Sequence, residues 1–496
     1  MRFFNIICML VLFQFCSHSI DTNTTHYVDK NASGSNDGAS WTNAWESLSD
    51  IEWDQIQPGD VLYISGGTDS TVYNEQLNIQ ASGSAVNLIT IRNSYEANHN
   101  GRVIIDLVDF SEDGIIIGTS ASANPDYIYI KGLEIRRGDH GVHIRYACEV
   151  ITLDSLIITN NYRRGLRFAG DSNPCCQTLP GYAADNLLLM NSIIITPNDL
   201  DSETDVMYLQ HASNIIIKNN FLHCRNKSPV NNHSDVIQSN AIRNLKVFNN
   251  VMISDSNAQG MPQITGAWDI PGDGVIDSVI IYNNFMYGGG LWYGVDAPWV
   301  AGLNPAWANR YPHDTPPTFI AHNTIITHGP TVAAVHVQVP GVLFINNILA
   351  QFGDGLAVGD WLPNFRTSPT TYADSTRHNL IWTEWPGNSN RLFQGYVSGN
   401  GITGQCYDWN TWENTYGGTG VGENPLLVSP IGSIPSDEQG NITGELQSNS
   451  PAINAGEDIQ ALIESIGLPW EDVDGNARNE SPDSVTIGAY NPPWLR

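Results

Sequence analysis

The sequence predicts an all-β solenoid, a parallel β-helix, and three observations carry that expectation. First, short β-branched runs end repeatedly in a turn built on asparagine: NIIIKNNFLH (214–223), NLKVFNNVMI (244–253), SVIIYNNFMY (278–287), TFIAHNTIIT (318–327) and GVLFINNILA (341–350). Looser copies precede them: YIYIKGLEIR (127–136), VITLDSLIIT (150–159) and LLLMNSIIIT (187–196). Second, with the second turn residue as marker (Gly132, Ser155, Ser192, Asn220, Asn250, Asn284, Thr324, Asn347), the steps run from 23 to 40 residues. The shortest steps suit one coil of a β-helix, and the longer ones a coil with an inserted loop. Asparagine fits such corners because it tolerates left-handed backbone angles and its amide can hydrogen-bond along a stack. Third, no segment between the markers has the 3.6-residue periodicity of a helix that strand–helix alternation would require. The uneven spacing also argues against the regular blades of about 40 residues that build a propeller.

Composition excludes several classes. The chain has 496 residues, 41% apolar and only 15% charged, too few charges for a coiled coil or a charged disordered tail. With 22 basic against 51 acidic residues the formal charge is −29. Such a surface repels nucleic acid and anionic membranes, so neither is an expected partner. It would also repel an acidic polysaccharide, unless a local basic patch or a bound cation intervenes.

The elements follow in order. Residues 1–20 read as a secretory signal: Arg2, an apolar run from Phe3 to Cys16, then Ser17, His18 and Ser19. The run is shorter than the roughly 20 residues that span a bilayer. A lipoprotein anchored through Cys16 is the rival reading, weakened by bulky Gln14 and Phe15 before it. The mature protein is therefore expected outside the cytoplasm, secreted, periplasmic or at the cell surface, as a monomer. Residues 21–57 should form an N-terminal cap, with a strand at His26–Asp29 and a short amphipathic helix over Trp41–Ile51. Residues 58–425 should form the coils and 426–496 a C-terminal capping segment. After the signal five cysteines remain (Cys148, Cys175, Cys176, Cys224, Cys406), with no CxxC pair for zinc. One or two loop disulfides through Cys175 or Cys176 are compatible with that set.

The segments YVDKNASGSNDGASWTNAWESL near the start and SPAINAG, DVDGNAR and IGAY near the end resemble secreted bacterial right-handed parallel β-helix proteins of the pectate-lyase-like superfamily. The resemblance covers nearly all the mature chain. It implies a right-handed helix, and it implies a site on the face of the first sheet, bordered by long loops. It does not choose among the lyases, hydrolases, epimerases and non-catalytic surface proteins of that fold.

If the marker turn follows the second strand of each coil, the first strand lies about 10–16 residues earlier, and side chains alternate in and out along it. With Val142, Ile144, Leu166, Phe168, Met207, Leu209, Ile237 and Ile264 inward, the outward set is His143, Arg145, Arg167, Tyr208, Gln210, Gln238, Asn240, Thr265, His336 and Gln338. Arg163 and Arg164 fall beside it. The segments TDVMYLQ (204–210) and HSDVIQ (233–238) lie one coil apart, which should bring Asp205 near Asp235, with His233 on the adjoining loop. Carboxyls held that close titrate apart and can serve as acid and base. The bland alternatives are turn-capping aspartates, solvated arginines and a stack of amides without a ligand.

Candidate catalytic residues are thus Asp205, Tyr208, His233, Asp235 and Arg167. Candidate substrate-binding residues are His143, Arg145, Gln210, Gln238 and three aromatics of the 288–314 loop, Trp292, Trp299 and Trp307. Sugar rings stack on such aromatics, although the same rings could instead fill a satellite core. No metal ligand set is evident. Calcium is the one cofactor suggested, by Asp472-Val473-Asp474-Gly475-Asn476, which lacks EF-hand spacing and reads more readily as a structural turn.

Two chemistries fit a polysaccharide in the groove. A lyase on uronate units needs a cation on the carboxylate plus a base and an acid, roles open to Arg145 or Arg167 and to Tyr208 or His233. An inverting hydrolase needs two carboxyls about 6.5–9.5 Å apart, for which Asp205 and Asp235 are candidates. A non-catalytic glycan-binding surface protein is the third reading. The basic cluster favours the lyase.

Overall fold

The computed structural model describes residues 23–120, 124–169, 184–197, 204–225, 234–254, 277–288, 318–328, 342–352, 376–383, 420–428 and 444–492, and the strand backbones at 263–265, 291–294, 335–337, 363–365, 393–395 and 405–407. The chain winds into a right-handed parallel β-helix with three strands per coil. The first sheet stacks Leu77–Ile79, Ile115–Ile117, His140–Arg145, Arg164–Ala169, the leading parts of Asp205–Lys218 and Ile237–Phe248, then Gln263–Thr265, Leu291–Gly294, Val335–Val337, Pro363–Phe365 and Phe393–Gly395. The second sheet runs from Thr25–Val28 to Thr376–Arg377, and the third from Ser70–Tyr73 to Gly420–Val421. One antiparallel pair, Phe393–Gly395 with Gln405–Tyr407, ends the first sheet.

Alternation explains the core. In Ile128–Lys131 both isoleucines are 0% exposed, while Tyr129 and Lys131 between them face outward. Repeated in every coil, this rule lines the interior with Val142, Ile144, Leu166, Phe168, Met207 and Leu209, all fully buried. Burying each such side chain contributes about 1.5–3 kcal/mol.

The corner between the second and third sheets carries two stacked rows. The outer row takes positive φ: Asn191, Asn219, Asn249, Asn283, His322 and Asn346, continuing Gly132 and Ser155. The inner row is Ser192, Asn220, Asn250, Asn284, Asn323, Asn347 and Asn379. The Oδ1 of Asn284 accepts both the backbone N–H and the Nδ2 of Asn250 at 3.0 Å, and Asn323 does the same for Asn284. Three sequence markers therefore sit one residue out of this inner register. Gly132 and Ser155 belong to the outer row, and the stacked residue of the fourth asparagine repeat is Asn323, not Thr324. All three lie at corners without an Asn-Asn pair (Gly132-Leu133, Ser155-Leu156 and His322-Asn323), where no second asparagine aligns the marker.

The N-terminal strand forms as expected, but the helix over Trp41–Ile51 does not. Trp45 instead makes backbone bonds with Tyr27 and Asp29, and only a 3₁₀ turn, Leu48–Asp50, follows, capped by the Ser47 hydroxyl. Serine, threonine and asparagine in that stretch favour such local bonds over a helix. The C-terminal segment packs along the flank of the later coils. Its helix Gln460–Ser465 lays Ile459 and Ile463 over Phe248, Ile280 and Phe319, and Ile487, Ala489 and Tyr490 cover the outer face of Phe285 and Ile348. Residues 1–22, which include the segment read as a signal, lie outside the described residues; no described helix is long and apolar enough to cross a membrane. Cys148 is a buried free thiol, its pKa pushed up to about 12 by burial.

Two expectations follow. Asn284→Ala strands the backbone N–H of Asn250 inside the corner, its Nδ2 keeping the carbonyls of Ile217 and Phe248, and should lower unfolding free energy in a guanidinium titration by about 1–3 kcal/mol; a loss below about 0.5 kcal/mol would mean that water replaces the amide. Val150 has φ +56 where the next coils place Asn186 and Asn214. A β-branched residue is strained there, so Val150→Asn should raise stability by about 1 kcal/mol, read as a higher melting temperature.

Candidate functional site

The outward face of the first sheet carries two rows in coil register. One row is His143, Arg167, Tyr208 and Gln238, continued in backbone register by Gln263, Trp292, His336 and Asn364. The other is Arg145, Ala169 and Gln210, continued in backbone register by Asn240 and Thr265. Neighbours within a row sit about 4.8 Å apart, the spacing of paired strands. His143, Arg145, Arg167, Tyr208, Gln210 and Gln238 therefore share the register expected of the ladder, with one revision, and Gln338 lies outside the described residues. Trp292 belongs to a strand of the sheet itself, because the segment after the glycine run returns to the ladder before the long insertion begins. His233, Trp299 and Trp307 lie outside the described residues.

The aspartates are placed differently from expectation. Asp205 and Asp235 do come together, with the Asp235 N–H donating to Asp205 Oδ1 at 3.1 Å, but both are 0% exposed. Arg164 Nε donates to Asp205 Oδ2 at 3.1 Å from the neighbouring coil. The two carboxyls thus sit beneath the face, at the corner where each strand begins, and Asp205 binds the next coil to its own. A sugar on the face does not reach them.

A residue that sequence reasoning missed takes the prominent place. Asp113, in the loop before Ile115–Ile117, accepts from His140 Nδ1 at 2.7 Å and from His143 Nδ1 at 2.8 Å. Assigning the Nδ1 protons to the two histidines, as an ionised carboxylate requires, leaves each Nε2 with a lone pair. The rings tilt against each other with centroids 4.5 Å apart. Burial pulls both histidines below the usual imidazole pKa, against the opposing pull of Asp113; Arg167 and Arg145 push His143 the same way as burial. The two hydrogen bonds hold Asp113 well below the usual carboxylate range despite its burial. Only the sequence spacing of His140 and His143 hinted at this cluster.

The cations divide into two kinds. Arg163 pairs with Asp139 at 3.2 Å and Arg164 with Asp205. Arg145 and Arg167 make no ion pair with the described residues, and the Nε of each is buried without a hydrogen-bond partner among them. Burial, with Arg164 next to it, lowers the pKa of Arg167. Tyr208 lies under both guanidinium groups, 4.4 Å from Arg164 and 6.0 Å from Arg167. Gln210 and Gln238 stand half-exposed beside it, and Gln238 Oε1 has no partner among the described residues. The group Asp113, His140 and His143 also has the composition of a divalent-metal site. Its distances are those of hydrogen bonds, which account for both Nδ1 atoms. At the calcium candidate, Asp472 accepts from the N–H groups of Asp474 and Asn476, at 3.1 and 2.8 Å, and its other oxygen from Asn476 Nδ2. It holds a turn of the flanking segment.

No family model matches the chain, and no curated protein matches it. Among solved structures the chain is similar to the pectate lyase Pel9A, at 15% identity over 95% of this chain and 97% of that one, TM-score 0.42. It is similar to the GH136 lacto-N-biosidase from Eubacterium ramulus, at 12% identity over 81% and 67%, TM-score 0.44. It is also similar to a rhamnogalacturonan lyase, at 13% identity over 80% and 87%, TM-score 0.39.

The buried histidines make stability acid-sensitive, and the sign is fixed. Folding keeps His140 and His143 neutral, whereas the unfolded chain protonates them below about pH 6.5, so the unfolded state binds more protons and stability falls with falling pH. Asp113, lowered in the fold, adds a loss with the same sign below about pH 4. Melting temperature should therefore be flat above pH 7 and drop below 6.5. His140→Gln, which keeps a donor to Asp113, should flatten the drop between pH 6.5 and 5; an unchanged slope would place that proton uptake elsewhere.

Proposed function

We propose that the chain is a polysaccharide lyase acting on a uronate-containing polymer laid along the first sheet. The observation that carries this reading is the pair Arg145 and Arg167, two cations without an acidic partner among the described residues of a chain bearing −29. A substrate carboxylate supplies the missing partner and relieves the repulsion between neighbouring guanidiniums. Neutralising that carboxylate acidifies the adjacent C5–H, the step that limits elimination.

The remaining roles follow from position. His143 stands one coil from Arg167, with Nδ1 fixed by Asp113 and its lone pair on Nε2, so it serves as base. Held neutral by burial, it is ready to accept at neutral pH. Tyr208, one coil to the other side of Arg167, donates its hydroxyl proton to the glycosidic oxygen. The C5–H electrons form the C4=C5 double bond as the C4–O bond breaks, the C5 proton passes to His143, and the leaving sugar carries the proton of Tyr208. Gln210 and Gln238 hydrogen-bond the flanking units. The hydrolase reading loses support because Asp205 and Asp235 are buried.

The test is a panel of uronate polymers, alginate and polygalacturonate among them, followed by the ultraviolet absorbance of the unsaturated product. His143→Gln, which keeps a donor to Asp113, and Arg167→Gln should each lower turnover about a hundredfold or more with melting little changed. Reducing ends without that absorbance would indicate a hydrolase, and retention on a glycan column without products a binding protein.

A further inference from the structure

An aromatic pair stands beside this site and plays no part in the roles just assigned. Phe110 belongs to the loop that carries Asp113, and Tyr162 to the loop leading into Arg164–Ala169, two coils on. Their ring centroids are 6.1 Å apart, closer than two coil spacings of about 4.8 Å each would place them. The intervening loop has Gly138, where a Cβ would lie 2.5 Å from His140 O, 2.8 Å from Gly114 N and 3.2 Å from Glu112 O, so the close backbone approach of these loops requires glycine.

The three loops are fixed to one another through the backbone. Asp139 N–H donates to Glu112 O at 2.7 Å, Tyr162 N–H to Gly138 O at 2.9 Å and Arg163 N–H to Asp139 O at 2.8 Å. Phe110 holds φ +58, an uncommon conformation for a bulky residue, between an N–H bond to Leu107 O and the Asp109 carboxylate that binds Ser111. Strain of this kind persists where surrounding structure imposes it, often at a ligand site. Neither ring joins the hydrophobic core, and Tyr162 is 39% exposed.

We propose that Phe110 and Tyr162 form a stacking subsite for a pyranose unit of the polymer, next to the unit whose carboxylate meets Arg167; this rests on the function proposed above. The open, tilted rings accept the apolar C–H face of a sugar, while Arg163 and Asp139 at the rim offer partners to its hydroxyls. The loop that places Phe110 also places Asp113, so one short segment sets both the subsite and the orientation of the base.

The experiment measures calorimetric binding of alginate and polygalacturonate oligosaccharides to a His143→Ala parent, then turnover in the otherwise native enzyme. Tyr162→Ala should weaken binding about tenfold, and raise KM similarly with kcat unchanged, while Tyr162→Phe keeps both. Equal affinity for the parent and Tyr162→Ala, at equal melting temperature, overturns the subsite. The two proposals separate cleanly: weakened binding by Tyr162→Ala in a protein that cleaves nothing sinks the lyase and supports the subsite. Cleavage with KM indifferent to Tyr162 does the reverse. Failure of every oligosaccharide to bind the parent overturns both.

Discussion

The amide chain at the second-to-third-sheet corner is the constraint on which the rest of the molecule depends. Where the backbone turns, its N–H cannot join the strand ladder, and left unpaired inside the protein it would cost about 1–3 kcal/mol. The asparagine of the next coil accepts it, from Asn220 through Asn250, Asn284, Asn323 and Asn347 to Asn379. Such a chain works only if every coil presents the same residue at the same height, so this corner cannot vary in length. Along the amide chain it does not: two residues separate Met190 from Ile193, Lys218 from Phe221, Phe248 from Val251 and Tyr282 from Phe285, whereas the first coils, which lack the chain, have longer corners from Ile64 to Ser70 and from Asn93 to Arg102. Over the asparagine coils the variable length is displaced to the connections flanking the first sheet. The fixed corner thus decides where loops, and with them a site, can be built.

The flanking segment reinforces the same division. Arg478, 3% exposed, donates from Nη2 to Asn283 Oδ1 and to Gly488 O, and Asn346 exchanges hydrogen bonds with the backbone of Glu457. The outer asparagines, whose amides would otherwise face water, are bound to the chain's own C-terminal part. Apolar contacts from Ile459, Ile463, Ile487 and Tyr490 cover the sheets on either side. Through these coils the outer faces of the second and third sheets are occupied, and the first sheet is left to meet a ligand.

How much of this was legible in the sequence follows from periodicity. The coil repeat, the inward set and the row His143, Arg167, Tyr208, Gln238 were readable because alternation and coil spacing are strict within strands. What lay between strands was not. Asp113 sits in a loop with no periodic signal, and its partners become evident only when two coils are stacked. Asp205 and Asp235 obey the strand pattern but stand where the chain enters the strand, and there the corner turns their side chains inward to Arg164 and a backbone N–H. Trp292 was read as loop because glycines precede it, yet the ladder resumes within a few residues. The missing N-terminal helix fails for a local reason: the Trp45 backbone pairs with Tyr27 and Asp29, while Asn43 and Ser47 side chains accept from the nearby N–H groups of Ser35 and Asp50.

Charge explains why one face differs from the rest. In a chain of 51 acidic residues, most cations among the described residues are claimed: Lys131 by Asp154, Arg137 by Asp106, Arg164 by Asp205, Arg377 by Glu457. Arg145 and Arg167 are held half-buried next to each other and to Arg164 without such relief, at a cost visible in the lowered pKa of Arg167. Burial, helped by the same cations, keeps His143 neutral beside the carboxylate that orients it. Replacing either arginine's surroundings with an acidic partner would stabilise the fold and raise the basicity of His143, but would also occupy the position a substrate carboxylate needs. The cationic strain and the neutral base therefore arise from one arrangement, and an anionic sugar bound between them lowers the first while it meets the second.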